Sequence, residues 1–152
     1  MTAPEVVVVA VGSPYRRDDG AGRAVADTVR ELLGRGGPPV QVADPLELLG
    51  IWDGAQVAVV ADAMRSGAPP GTVEIVDLDA VPDSTAAGGS THSVGLARTL
   101  RLARRLGGAP STVLVVAIEG ADFGSGEGLS EPVATAVPEA ARLVVAALRG
   151  LR

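Results

Sequence analysis

Cysteine is absent from this 152-residue chain, so disulfides, thiolate metal sites and thiol nucleophiles are excluded, and nothing points to an oxidising compartment. Lysine is absent too: all 13 basic residues are arginine, which removes a phosphate-loop lysine and any Schiff-base amine. His92 is the only histidine, so no mechanism that needs two imidazoles fits within one chain. Aromatics are limited to one Trp, one Tyr and one Phe, and the net charge is −5. Both argue against nonspecific binding to nucleic acid, which draws on net positive charge and on aromatic surface for stacking. Membrane-length apolar runs are missing as well: Val6 to Val11 falls far short of the about 18 residues a span needs, and Met1 to Glu5 carry no basic segment. The expectation is a cytoplasmic protein with no nucleic-acid or membrane partner.

What is present is core material. Apolar residues make up 47% of the chain and charged residues 20%, enough to bury a core and too little charge for a disordered segment, which predicts one domain over residues 1–152. Val6 to Val11 reads as a strand buried on both faces, followed by a polar loop, Gly12 to Gly20. Val25, Val29, Leu32 and Leu33 then recur at helical spacing up to Gly34. Val40 to Ala43 reads as a short strand, Pro45 to Leu49 as a helical turn, and Gln56 to Ala61 as a buried strand that delivers Asp62 at its end. The tight Pro69-Pro70-Gly71 connection makes Thr72 to Val76 an antiparallel hairpin partner of that strand. A polar loop, Asp77 to Ser90, leads to a helix from about Ser93 to Leu106 with Leu96, Leu100 and Ala103 inward, stopped by Gly107-Gly108. Thr112 to Ile118 is the last strand and Pro138 to Leu148 the last helix. About five strands among three substantial helices predict a three-layer α/β/α sandwich on a twisted, mostly parallel sheet with one antiparallel strand.

In open sheets of this kind, ligands sit outside the carboxyl ends of the parallel strands. Asp18 and Asp19 close the loop after the first strand, Asp62 follows a later one, and His92 opens a helix. Brought to one rim, two carboxylates and an imidazole suit a borderline divalent metal such as nickel or zinc, and three protein ligands leave positions open. Each residue also has a plainer reading: Asp19 as a helix-start acid, Asp62 as a strand end, His92 with Ser90 and Thr91 as a capping cluster. Gly12-Ser13-Pro14 is not a dinucleotide fingerprint. Gly124 to Gly128 reads as a flexible loop rather than a nucleophile elbow. Arg98, Arg101 and Arg105 share a helix face, either a solvated surface or a dock for an acidic partner.

The stretch from Val11 through Asp18, Asp19 and Gly20 to Gly22 resembles the amino-terminal signature of the hydrogenase maturation proteases, Gly-Asn-x-x-x-x-Asp-(Asp/Glu)-(Gly/Ala)-x-Gly. Asp62-Ala63 after an apolar strand, Ser90-Thr91-His92 opening a helix, and Gly126 to Ser130 before the last helix match in order. The resemblance implies a metal-dependent endopeptidase that removes the carboxy-terminal extension of a nickel-iron hydrogenase large-subunit precursor after nickel insertion. It implies that Asp19, Asp62 and His92 contact the nickel and carry catalysis, the metal arriving with the substrate rather than residing in the enzyme. Departures are Ser13 for the usual Asn, Ala10 and Arg17 where Gly is common, and Asp44-Pro45-Leu46 for an Asp-Gly-Gly-type turn that resembles a substrate-selection loop. Two other readings stay open: a module of the same fold that grips a precursor or a small acidic ligand without cutting, and a small-ligand domain in which the three polar residues are helix caps.

Overall fold

The computed structural model describes residues 6–35, 39–78 and 91–151, and for 91–94 only the helical backbone. In chain order it comprises β1 (Val6–Val11), α1 (Ala21–Leu32), β2 (Val40–Val42), α2 (Leu48–Trp52), β3 (Val57–Met64), β4 (Val73–Asp77), α3 (Thr91–Arg105), β5 (Thr112–Glu119) and α4 (Glu131–Arg149). Single 3-10 turns, Arg17–Gly20 and Pro45–Glu47, lead into α1 and α2.

The five strands form one sheet in the order β2-β1-β3-β5-β4, parallel except for β4. Side-chain alternation splits the core in two. Val8 and Ala10 of β1, Val59 and Ala61 of β3 and Val116 and Ile118 of β5 pack with α1 and α4. Val9, Val11, Ala58, Val60, Val113 and Val115 pack with Trp52 of α2 and Leu96, Leu100 and Ala103 of α3. The three layers follow because β1, β3 and β5 are apolar on both faces and need cover on both.

The fold class is as the sequence predicts, with local corrections. β4 is antiparallel, but its partner is β5 (Val73↔Ile118 through Asp77↔Leu114) rather than β3. β5 takes the place beside β3 because both are long, fully apolar strands, and eight residue pairs from Val57↔Thr112 to Met64↔Glu119 bury the pair centrally. The half-exposed β4 is left for the edge. The same pairing carries β3 on to Met64, so Asp62 lies inside the strand. α4 starts at Glu131, with Pro132 in its first turn and Pro138 in its interior. Burial of Val133, Ala136 and Val137 outweighs the amide that Pro138 lacks. Leu32, part of the predicted apolar stripe, is half-exposed in the last turn of α1. Most of the loop from Asp77 to Ser90 lies outside the described residues.

Both predicted glycine stops hold. Gly34 has φ +71°. Its N–H donates to Glu31 O, and that of Arg35 to Arg30 O. Gly107, at φ +81°, ends α3 with the same pair of bonds, to Arg104 O and from Gly108 to Ala103 O. No helix among the described residues is long and apolar enough to cross a membrane.

Candidate active site

The strand order reverses at β1: one connection runs outward to β2, the next returns past β1 to β3. Such a switch point opens a crevice at the carboxyl ends of the two central strands. Its floor is built by two glycines. Gly12, at φ +108°, turns the chain as it leaves β1, and a Cβ there would stand 2.5 Å from Asp19 O. Its N–H donates to Val42 O and its carbonyl accepts from the Gln41 side chain. Gly22, in the first turn of α1, lies so close to β1 and β3 that a Cβ would stand 2.3 Å from Ala61 O and 2.9 Å from Val11 O. The start of α1 therefore rests directly on the ends of both strands, with Asp19 just before it and Asp62 one residue beyond Ala61.

The two adjacent acids of the first loop have opposite surroundings. Asp18 is fully buried. Its Oδ2 accepts from Ala121 N (2.8 Å), Asp122 N (2.9 Å) and Ser130 Oγ (2.8 Å), and its Oδ1 from Ser130 N (2.8 Å). Burial alone pushes its carboxyl up, but the bonds from Ser130, Ala121 and Asp122 overcome this and hold it below the ordinary carboxylate value. Asp18 thus ties the first loop to the segment between β5 and α4. Asp19 is half-buried. Its Oδ2 accepts from Ser13 N at 2.7 Å, and its Oδ1 has no hydrogen-bond partner among the described residues. It bonds no helix amide and so is no side-chain cap, but it does stand as a helix-start acid, in the first turn of the 3-10 segment that leads into α1.

Asp62 is 3% exposed, and its Oδ1 accepts from Ala63 N at 2.8 Å. By alternation its side chain lies on the same sheet face as Ala58 and Val60, the face covered by α3. His92 stands in the first turn of α3. Its side chain lies outside the described residues, as does the predicted Ser90-Thr91-His92 cap. Asp19 lies against Gly12, where the chain leaves β1, and Asp62 stands on the neighbouring β3 one residue past the Ala10↔Ala61 pair. Among the described residues no three His, Asp or Glu side chains gather into a metal-holding group. Carboxylate with imidazole is a donor set that a divalent first-row metal accepts.

Two features escape sequence reasoning. Ser130 is recognisable only as the end of the late glycine-rich motif, with no sign that it bonds Asp18 from 112 residues away. Glu119 ends an apolar run, yet it is buried and accepts from Ser66 N (3.0 and 3.1 Å) and Ser66 Oγ (2.6 Å), fixing the chain just past β3. The Gly124 to Gly128 loop, expected to be flexible, is docked instead. Arg17 N donates to Gly126 O, Gly126 N donates to Tyr15 O, and Arg17 Nη1 donates to Glu127 O. Those bonds hold Arg17 at φ +49°, a left-handed conformation that glycine adopts more easily.

A family model described as hydrogenase maturation protease matches residues 43–147. Hydrogenase expression/formation protein HupD of Thiocapsa roseopersicina is 32% identical over 126 residues, covering 76% of this chain and 54% of its own length. HoxM of Azotobacter vinelandii, of the same description, is 30% identical over 153 residues, covering 95% of this chain and 72% of its own. This chain therefore spans about half the length of the first relative. The hydrogenase maturating endopeptidase HybD from E. coli superposes with a TM-score of 0.74 at 27% identity, covering 96% of this chain and 93% of that one. A [NiFe] hydrogenase maturation protease HybD from Thermococcus kodakarensis has the same fold, with a TM-score of 0.73 at 24% identity over 95% of this chain and 99% of that one.

Proposed function

This chain belongs to the hydrogenase maturation protease family, and from that membership we propose that it removes the carboxy-terminal extension of a nickel-iron hydrogenase large-subunit precursor after nickel insertion. The substrate's own nickel is the recognition element, held by Asp19, Asp62 and His92. The observation that carries this reading is the division between the paired acids: Asp18 is saturated by four hydrogen bonds, while Asp19 keeps an oxygen without a partner among the described residues at the β1/β3 crevice.

An enzyme that must cut only loaded precursor gains its selectivity from open ligands, because differential affinity for the metal-bearing state discriminates against the empty one. Hydrolysis consumes one water, whose hydroxyl joins the scissile carbonyl carbon while a proton reaches the leaving amine. Asp19 and Asp62 are the rim carboxylates suited to carry that proton, and the substrate's nickel polarises the carbonyl.

The test is incubation with nickel-loaded and nickel-free precursor, followed by mass spectrometry of the large subunit. Loss of the extension from loaded precursor only, abolished by His92→Ala and by Asp19→Ala, is expected. Intact loaded precursor, or equal cleavage by His92→Ala, overturns the assignment. Tight binding without cleavage would leave a gripping module.

A further inference from the structure

A cleft of about 290 Å³ opens beside the Pro45–Glu47 turn, lined by Asp44, Pro45, Leu46, Gly95, Arg98, Thr99 and Leu102. One wall is the turn, the other is α3. Asp44 follows β2, which is parallel to β1, so the cleft begins at the same sheet edge as Asp19 and Asp62. Gly95 is one turn along α3 from His92 and Arg98 two, so the cleft runs from the candidate site down the outside of the molecule.

The lining holds one acid and one cation, and the acid is the engaged one: Asp44 Oδ1 accepts from Leu46 N at 2.9 Å, and Glu47 bonds back to Asp44 N at 3.1 Å, a closed capping box that holds the carboxylate on its own turn. Thr99 is buried and its hydroxyl donates to Gly95 O at 2.8 Å. Arg98, in contrast, is exposed and has no hydrogen bond or ion pair among the described residues. Apolar surface flanks it, with Leu46 57% and Leu102 40% exposed. Arg105, also exposed, lies seven residues on, and Arg98, Leu102 and Arg105 at i, i+4 and i+7 make one stripe. On a chain of net charge −5, a guanidinium that no carboxylate among the described residues pairs, set between two exposed leucines, is a site for an anion borne on an apolar segment.

We infer that this cleft seats an acidic, apolar peptide segment of the hydrogenase precursor, with Arg98 as its specificity-determining residue. The inference rests on the proposed peptidase function for the identity of the partner. The chemistry of the segment rests on the cleft alone. One guanidinium–carboxylate pair at a half-open site distinguishes an acidic from a neutral segment by about tenfold.

Fluorescence polarisation with a labelled octapeptide of alternating leucine and glutamate, against the same peptide with lysine for glutamate, reads the cleft without any cleavage. The expected result is binding of the glutamate peptide only, weakened at least tenfold by Arg98→Glu and unchanged by Arg149→Glu on the remote end of α4. Equal affinity for both peptides, no binding of either, or wild-type binding by Arg98→Glu overturns the inference. In the precursor assay, Arg98→Glu raises KM with kcat unchanged. A wild-type enzyme that cuts loaded precursor while failing the peptide test removes the cleft and keeps the peptidase. One that binds the glutamate peptide through Arg98 but never cuts removes the peptidase and keeps the cleft.

Discussion

Asp18 and Asp19 carry the same side chain at neighbouring positions, and the fold separates them by what reaches their oxygens. Truncating Asp18 strands three amides and a hydroxyl in a dry place, so Asp18→Ala should cost about 3–5 kcal/mol in urea unfolding. Ser130→Ala, which loses only the hydroxyl, should cost about 1 kcal/mol. Asp19→Ala gives up one hydrogen bond, from Ser13 N, and should stay within about 1 kcal/mol of wild type while cleavage of loaded precursor falls at least about a hundredfold. Comparable damage to stability from the two alanines would contradict the distinct roles. The adjacent pair of acids was legible in the sequence. Which one is buried was not, because the groups that saturate Asp18 come from Ala121, Asp122 and Ser130.

At the scale of elements, α1 is held against the strand ends by the absence of a side chain at Gly22. A methyl there meets the carbonyls of Ala61 and Val11, which cannot swing away without breaking the sheet. Gly22→Ala should therefore destabilise by about 2–3 kcal/mol and abolish cleavage, since the loop bearing Asp19 moves with the helix. A near-wild-type melting curve would refute that packing. α4 offers the opposite case: Pro138 is exposed in a helix interior and denies Ala134 O its amide partner. Pro138→Ala should raise stability by about 1–2 kcal/mol, a shift of several degrees in Tm, less than the full helix-interior penalty because the unfolded chain gains freedom. The apolar runs and glycine stops marked the central strands and the ends of α1 and α3 correctly. Reading Pro138 as a helix start placed α4 seven residues late, because local propensity cannot register burial of Val133 and Ala136.

For the whole molecule, acid is the informative perturbant. The carboxyl of Asp18 sits below its ordinary value of 3.8 when folded, so its contribution to stability is complete above that value and is lost as pH falls through the lower folded value. Trp52, the only tryptophan and fully buried between α2 and the sheet, reports unfolding by a red shift of its emission. Acid titrations should show stability falling below about pH 4, with the gap between wild type and Asp18→Asn narrowing over the same range. A gap that stays constant down to the acid transition would mean that the bonds to Asp18 do not depend on its charge.

The sequence by itself determined the fold class and the central strands and marked the adjacent acids of the first loop, because apolar runs, glycine stops and short motifs are local signals. The placement of β5 between β3 and β4, the docking of the glycine-rich loop on the first loop, and the burial of Asp18 rather than Asp19 belong to the tertiary structure. Each depends on partners remote along the chain, such as Asp18 with Ser130 or Val57 with Thr112, and only the folded backbone brings their hydrogen bonds and buried surfaces together.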